Sequence, residues 1–267
     1  MLPVVDTNWC LPTDVANSRH DPAEVHILRA VSVQAPGRWE ESLRFAQSAQ
    51  TLADTPGSGG LPTAFVAYAD IVDTHFYSRL DVLTGFSRFR GISYQLPTCV
   101  ELPQLLACVK RLGEVDVLLE LVLEDRWFDC ASTLMALRSK GPIVLQLDAT
   151  QLDVDGGHCE NDEFTALWSE HFALQRALSG NARYVLKMCG DWSKHALIQG
   201  LEIQTFLQQL INIWGVDRIV FGGEPVSKAA QNNLPAIWNF FQTAALSLSA
   251  SERDRLFRSN AVNIYRL

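Results

Sequence analysis

The chain has 267 residues. This length fits either a single α/β barrel domain or two domains of average size. Hydrophobic residues make up 48% of it and charged residues 19%, while glycine and proline occupy 16 and 11 positions. This composition is globular, and it excludes a disordered, collagen-like or coiled-coil chain.

The net charge is −8 at pH 7, from 30 acidic residues against 22 lysines and arginines, and no basic run interrupts the sequence. Nucleic acid and anionic membrane surfaces are therefore not expected as partners. The longest uncharged stretch, residues 229–251, contains polar side chains and is not expected to cross a bilayer. A small-molecule substrate is the expected partner, and a homo-oligomer stays an open alternative.

The chain opens MLPVVD, without the basic segment that begins a secretory signal peptide. Its six cysteines are scattered, with no CxxC and no paired spacing. We therefore predict a cytoplasmic protein whose thiols are reduced.

Eight short apolar runs of strand character recur along the chain, and most are followed by apolar residues at helical spacing. The predicted strands are residues 2–6, 30–34, 64–71, 89–94, 115–121, 143–148, 182–188 and 218–222. About 25 to 40 residues separate one run from the next, which is the size of a βα unit with its loops. Eight such units predict an α/β fold, a closed (β/α)8 TIM barrel, as a single domain of residues 1–267.

An open doubly wound sheet shows the same alternation of strands and helices. Its usual mark, a GxGxxG loop between an early strand and a helix, is absent from the sequence. Gly57, Gly59 and Gly60 precede a predicted strand, so they indicate a turn rather than a phosphate-binding loop. The barrel is the favoured architecture.

Polar residues interrupt the apolar runs at the strand ends, where a barrel of this kind carries its chemistry. Strand alternation predicts that Asn8 and Cys10 share one face, with Asp6 below them. Glu224 and Asp148 are the candidate catalytic residues, because a carboxylate at a strand end can act as a general base. The candidate substrate-binding residues are Asn8, Cys10, Gln34, Asp70, Ser93, Glu120 and Lys187.

Seven segments carry a resemblance to a known family. VVDTNWCLP, VSVQA, VAYADI and FRGISYQL follow one another over residues 4–96, and they resemble the segments D-x-H-x-H, V-x-V-Q-A, G-W-V-D-L and F-K-G-I-R-H. YVLKMCG, GVDRIVFGGEPV and ERDRLFRSNAVNIYRL resemble V-x-x-K-L-S-G, G-x-D-R-L-M-F-G-S-D-W-P and I-F-x-x-N-A-x-x-F-Y-R-L. These are segments of the amidohydrolase-related TIM-barrel hydrolases, which include sugar lactonases and 2-pyrone-4,6-dicarboxylate lactonase. The resemblance implies the barrel fold and a hydrolase ancestry.

The departures from that family fall on its reactive positions. Asn8 and Cys10 stand where the family has two histidines, and Ser93 stands where it has an arginine. Asp148 lies at or beside the position of a middle-strand histidine, and Glu224 corresponds to an aspartate that binds metal or activates water. The resemblance therefore implies that the chain keeps the barrel scaffold of the family but has different residues at the reactive positions.

A metal site needs several converging ligands, and the amide of Asn8 is a weak ligand for zinc. We therefore expect no cofactor. The open alternative is an unusual zinc site made by Cys10, Asp148 and Glu224, in which a thiolate would favour that metal.

Several of the candidate residues also have a purely structural interpretation. Lys187 either binds an anionic substrate or neutralises Asp148 in a buried ion pair. Glu224 either acts as the general base or is a structural carboxylate that pairs with Lys187 or accepts hydrogen bonds from backbone amides. The other polar strand-end residues either bind the substrate or form a polar network inside the barrel; they are Gln34, Asp70 and Glu120.

Two classes of function stay open. In the first, Glu224 activates a water molecule that attacks the ester carbonyl of a small carboxylated or sugar lactone without the usual metal. Asp148, Lys187 and Asn8 orient the substrate, and the pyrone dicarboxylate lactonase, which is thought to need no metal, supports this by resemblance. In the second, the loss of both strand-one histidines, the middle-strand histidine and the arginine indicates an inactive barrel that binds a ligand or a partner.

Overall fold

Eight parallel strands form one sheet whose order follows the chain from β1 to β8. The structure is a computed structural model that describes residues 3–9, 26–56, 61–97, 102–123, 127–148, 161–190, 192, 203–223 and 234–267. The strands are β1 (Val4–Trp9), β2 (Ile27–Val33), β3 (Ala64–Tyr68), β4 (Phe89–Gln95), β5 (Leu118–Val122), β6 (Ile143–Asp148), β7 (Tyr184–Cys189) and β8 (Ile219–Phe221). Because a doubly wound sheet reverses its strand order, this sequential order confirms the (β/α)8 barrel and excludes the open sheet.

All eight predicted strands are present, and the differences lie at their ends. The strand predicted over residues 64–71 stops at Tyr68, because Asp70 begins a turn. The Asp70 carboxylate accepts a hydrogen bond from the Val72 N–H at 3.1 Å, and this local bond competes with strand pairing.

Helices follow most of the strands and cover the outside of the barrel. They are α1 (Trp39–Asp54), α2 (Phe76–Thr84), α3 (Leu102–Glu114), α4 (Ala131–Ala136), α5 (Asn161–Ser179), α6 (Ile203–Trp214), α7 (Leu234–Ala244), α8 (Ala250–Asp254) and α9 (Asn260–Tyr265). A π-helical turn, Arg255–Ser259, joins α8 to α9 without a break. None of the helices in the described ranges is long and apolar enough to span a membrane.

The sheet separates two apolar clusters. The outer cluster lies between the strands and the helices and includes Phe65, Leu145 and Phe221. The inner cluster fills one end of the barrel; its members include Val5, Val66, Leu118, Val185 and Val220, together with Ala261 and Tyr265 of α9. The C-terminal helix therefore closes the barrel at that end. Glu120 and Lys187 follow Leu118 and Val185 by two positions, so they lie on the same face one step nearer the carboxyl ends of their strands.

Hydrogen bonds between side chains and backbone groups join β8 to β1, where the barrel closes. The Thr7 hydroxyl donates to the Phe221 carbonyl oxygen at 2.7 Å, and the Gly223 N–H donates to Asp6 Oδ1 at 2.8 Å. These bonds fix the end of β8, where Glu224 follows, against the first strand.

Gly222 allows β8 to approach β1. A Cβ at this position would lie 2.8 Å from the Asn8 Cβ, which is too close, and 3.0 Å from the Thr7 Oγ1, which is tighter than most contacts of a Cβ atom. We expect Gly222→Ala to lower the free energy of unfolding in urea by about 1–3 kcal/mol through overpacking. Gly141→Ala is the matched control, because the nearest atom to its Cβ would be 3.9 Å away. An equal loss in both variants would contradict the close-approach explanation.

Candidate functional site

Strand β1 does not alternate regularly. Asp6 pairs with Ala30 and Trp9 pairs with Ser32, so β1 advances three residues while β2 advances two. This register shift is a β-bulge, and it turns the Asn8 side chain toward Lys187 inside the barrel. Asp6 instead lies against Gly223. The prediction that Asp6 and Asn8 share a face is therefore wrong, because the bulge interrupts the alternation on which it rests.

A buried ion pair occupies the middle of the barrel. The side chains of Lys187 and Glu120 are both 0% exposed, and Lys187 Nζ donates to Glu120 Oε1 at 2.5 Å. The same Nζ donates to Asn8 Oδ1 at 3.0 Å. These three residues come from β7, β5 and β1, as expected for a barrel layer built from alternate strands. An ammonium group has three N–H bonds, so these two acceptors leave one N–H for a further oxygen.

Tyr265 reaches this layer from the closed end of the barrel. Its hydroxyl donates to Glu120 Oε2 at 3.0 Å, so both oxygens of Glu120 are engaged. Burial raises the pKa of Tyr265 well above its ordinary value, and the neighbouring Glu120 charge acts in the same direction. The hydroxyl therefore stays protonated and able to donate. We call Asn8, Glu120, Lys187 and Tyr265 the Lys187 network.

Asp6 joins the first and last strands next to this network. Its Oδ1 accepts hydrogen bonds from the backbone N–H groups of Asn8 and Gly223, both at 2.8 Å. Burial raises the pKa of the Asp6 carboxyl, and these two N–H groups oppose the shift. Gly223 is the last described residue before Glu224, so Asp6 holds the backbone at the point where the candidate base follows.

Two more polar side chains are buried in the barrel, Ser93 at 1% exposure and Gln146 at 5%. Ser93 pairs in register with Glu120, and Gln146 pairs with Lys187. The Ser93 hydroxyl has no hydrogen-bond partner within the described part of the chain, so a substrate oxygen or a water molecule can satisfy it. Gln146 was not among the predicted site residues. Its signal in the sequence is its place two positions before Asp148 on one strand face.

Gln34 and Asp70 lie at the rim of the barrel. Gln34 Oε1 accepts from the Tyr68 N–H at 2.9 Å, and Asp70 is exposed. Asp70 lines a cleft of about 330 Å³ together with Trp39 and Arg79. Among the described residues, no hydrogen bond connects Gln34 or Asp70 to the Lys187 network.

The remaining predicted site residues lie outside the described part of the structure. Cys10 and Glu224 are not described, and Asp148 ends β6 with a side chain that is not described. The catalytic roles of Glu224 and Asp148, and the alternative zinc site with Cys10, therefore stay predictions.

The described residues do not fit a divalent metal ion. Asn8, at the position of the first strand-one histidine of the family, uses both ends of its amide: Oδ1 accepts from Lys187, and Nδ2 donates to the Gly223 carbonyl oxygen at 3.3 Å. The ammonium group 3.0 Å from Asn8 Oδ1 would repel a metal ion bound there. The ranges that the structure describes contain no group of three or more His, Cys, Asp and Glu residues able to hold a metal ion.

The fold and the described residues together define a (β/α)8 barrel with a buried polar network at its centre. Residues 164–267 match the amidohydrolase family model, and this range contains the last three of the seven resembling segments. The uncharacterized protein y4mH of Sinorhizobium fredii is 25% identical, in a match that covers 78% of this chain and 71% of y4mH.

Solved structures show the same fold. An amidohydrolase from Burkholderia multivorans superposes with a TM-score of 0.70 at 17% identity, over 100% of both chains. A protein from Pseudomonas putida, provisionally named 2-pyrone-4,6-dicarboxylic acid hydrolase, has a TM-score of 0.68 at 18% identity, over 100% of this chain and 98% of its own. The comparisons confirm the resemblance to amidohydrolases: the family model matches the last part of the chain, and the solved amidohydrolase structures share its fold.

Proposed function

We propose that this chain is a lactonase-like hydrolase that opens a small carboxylated or sugar lactone without a divalent metal. The observation that carries the proposal is the 3.0 Å hydrogen bond from Lys187 Nζ to Asn8 Oδ1. This bond places the positive charge of Lys187 next to Asn8, at the strand-one position where the family has a histidine. In a buried site, a fixed ammonium group can stabilise a developing oxyanion.

The reaction needs one base and one positive group. Glu224 takes a proton from a water molecule, and the water oxygen attacks the lactone carbonyl carbon. The negative charge that forms on the carbonyl oxygen is stabilised by the remaining N–H of Lys187, while Asn8 and Asp148 orient the ring. Collapse of the tetrahedral intermediate breaks the ring C–O bond, and Glu224 returns the proton to the leaving oxygen. The product is the open hydroxy acid.

A lactone panel tests this proposal. Protein dialysed against a chelator is assayed by proton release with 2-pyrone-4,6-dicarboxylate and with aldono-1,4-lactones. We expect hydrolysis to survive the chelator, and we expect Glu224→Gln to lower kcat by at least about a hundredfold, as for loss of a general base. Glu114→Gln, on the surface of α3, is the matched control and should keep the full rate.

Two results would overturn parts of the proposal separately. Full activity in Glu224→Gln would remove Glu224 from the mechanism. Activity that disappears with the chelator and returns with zinc would overturn hydrolysis without a metal, and it would favour the alternative site of Cys10, Asp148 and Glu224.

The second candidate function is an inactive barrel that binds a ligand or a partner. The observation in its favour is that both ends of the Asn8 amide and both oxygens of Glu120 are already engaged by groups of the protein. No turnover across the panel, together with saturable binding of a lactone in calorimetry, would support this function instead of hydrolysis.

A further inference from the structure

A continuous chain of hydrogen bonds crosses the barrel from the C-terminal helix to the end of β8. The Tyr265 hydroxyl donates to Glu120 at 3.0 Å, and Lys187 donates to the other oxygen of Glu120 at 2.5 Å. Lys187 also donates to Asn8 at 3.0 Å, and the Asn8 amide donates to the Gly223 carbonyl oxygen at 3.3 Å. The four side chains in this chain of bonds are buried.

We propose that Tyr265 and Glu120 are positioning residues that hold the Lys187 ammonium group toward Asn8, so that helix α9 supports the reactive end of the barrel. The placement of Lys187 rests on the contacts alone. The consequence for catalysis rests on the proposed lactonase function.

Helix α9 is itself held in place at both ends. At its start, the Asn260 side-chain amide donates to the carbonyl oxygens of Val216 and Ile219, at 2.7 Å and 2.8 Å, next to the beginning of β8. At its end, Arg266 forms an ion pair with Asp116. These contacts fix the depth to which the Tyr265 side chain enters the barrel.

The hydroxyl group, rather than the ring, performs this positioning. A phenylalanine ring would fill the same apolar space against the inner cluster. Without the hydroxyl, Glu120 Oε2 would lose its partner, and the carboxylate would be free to turn about its terminal bond. Lys187 would then lose a fixed acceptor.

Lysine NMR tests the proposal without any substrate. The chain has five lysines, Lys110, Lys140, Lys187, Lys194 and Lys228, so their ¹⁵Nζ resonances are simple to assign. We expect the buried Lys187 ammonium group to show a slowly exchanging resonance that shifts or disappears in Tyr265→Phe. Tyr184→Phe is the matched control, because Tyr184 is equally buried and its hydroxyl donates to the Leu134 carbonyl oxygen outside the network. An unchanged Lys187 resonance in Tyr265→Phe would overturn the proposal.

A second measurement uses the unmodified protein, so it still tests the hydrogen bond from Tyr265 to Glu120 if Tyr265→Phe fails to fold. Protein labelled with ¹³Cζ-tyrosine is recorded in mixed H2O and D2O, where a slowly exchanging hydroxyl gives two separate Cζ resonances. We expect two resonances for Tyr265, because its hydroxyl is buried and bonded to Glu120. A single averaged resonance would overturn the proposal. Neither measurement requires turnover, so failure here is distinct from failure of the lactonase proposal.

Where a lactone is hydrolysed, Tyr265→Phe should lower kcat severalfold and leave KM nearly unchanged.

Discussion

Replacement of Lys187 with methionine is expected to lower the free energy of unfolding by about 3–5 kcal/mol, the usual cost of breaking one side of a buried ion pair. The Lys187 side chain is 0% exposed, and its Nζ lies 2.5 Å from Glu120 Oε1. Methionine would fill a similar volume and leave the Glu120 carboxylate buried with the Tyr265 hydroxyl as its described partner. Urea unfolding at pH 7 measures the loss.

Two further variants separate charge from packing. Lys187→Met combined with Glu120→Gln leaves no buried charge at this position, and we expect it to recover most of the loss. Lys110→Met removes one side of an exposed ion pair with Glu114, and its effect should be within about 1 kcal/mol because water screens such pairs. A double variant as unstable as Lys187→Met alone would assign the loss to packing rather than to the unpaired carboxylate.

The sequence predicted the fold because the strands of a barrel leave a repeated apolar signal. All eight strands appear where short apolar runs were found, and the helices fall between them. The first strand is the exception. Alternation predicted one face for Asp6 and Asn8, and the register shift between Asp6 and Trp9 separated them. A bulge depends on how β1 meets β2 and β8, and the residues of β1 alone do not contain that information.

The site was predicted as separate residues and not as an arrangement. Asn8, Glu120 and Lys187 were found because each interrupts an apolar run. Alternation gives the face of a strand but not its height in the barrel, so the sequence did not identify Glu120 as the partner of Lys187. Tyr265 comes from a helix after the last strand. It was not predicted because the candidate residues were polar residues at strand ends. Its only signal was the closing segment of the family resemblance.

His171 on α5 belongs to a second buried network, between α5 and α6. The Trp214 indole N–H donates to Gln175 Oε1 at 2.7 Å, which turns the Gln175 amide nitrogen toward His171 Nε2 at 3.1 Å. Because the indole N–H can only donate, Gln175 Oε1 is the acceptor and the Gln175 amide nitrogen is left as a donor to His171. His171 Nε2 must therefore accept, which a neutral imidazole can do. Protonation would place two donors face to face. Burial lowers the pKa of His171 to about 4.

Acid is therefore expected to destabilise the protein through this one histidine. The ordinary pKa of histidine is 6.5, so between pH 6.5 and about 4 the folded chain binds fewer protons at His171 than the unfolded chain does. The His171 contribution is complete above pH 6.5 and is lost as the pH falls, by roughly 3 kcal/mol between pH 7 and pH 4. Urea unfolding across this range measures the loss.

His171→Gln cannot titrate and keeps an acceptor for Gln175, so it should reduce the fall in stability by that amount. His26→Gln, at an exposed position before β2, should leave the fall unchanged. The same fall in His171→Gln as in the unmodified chain would assign the acid sensitivity to other titratable groups.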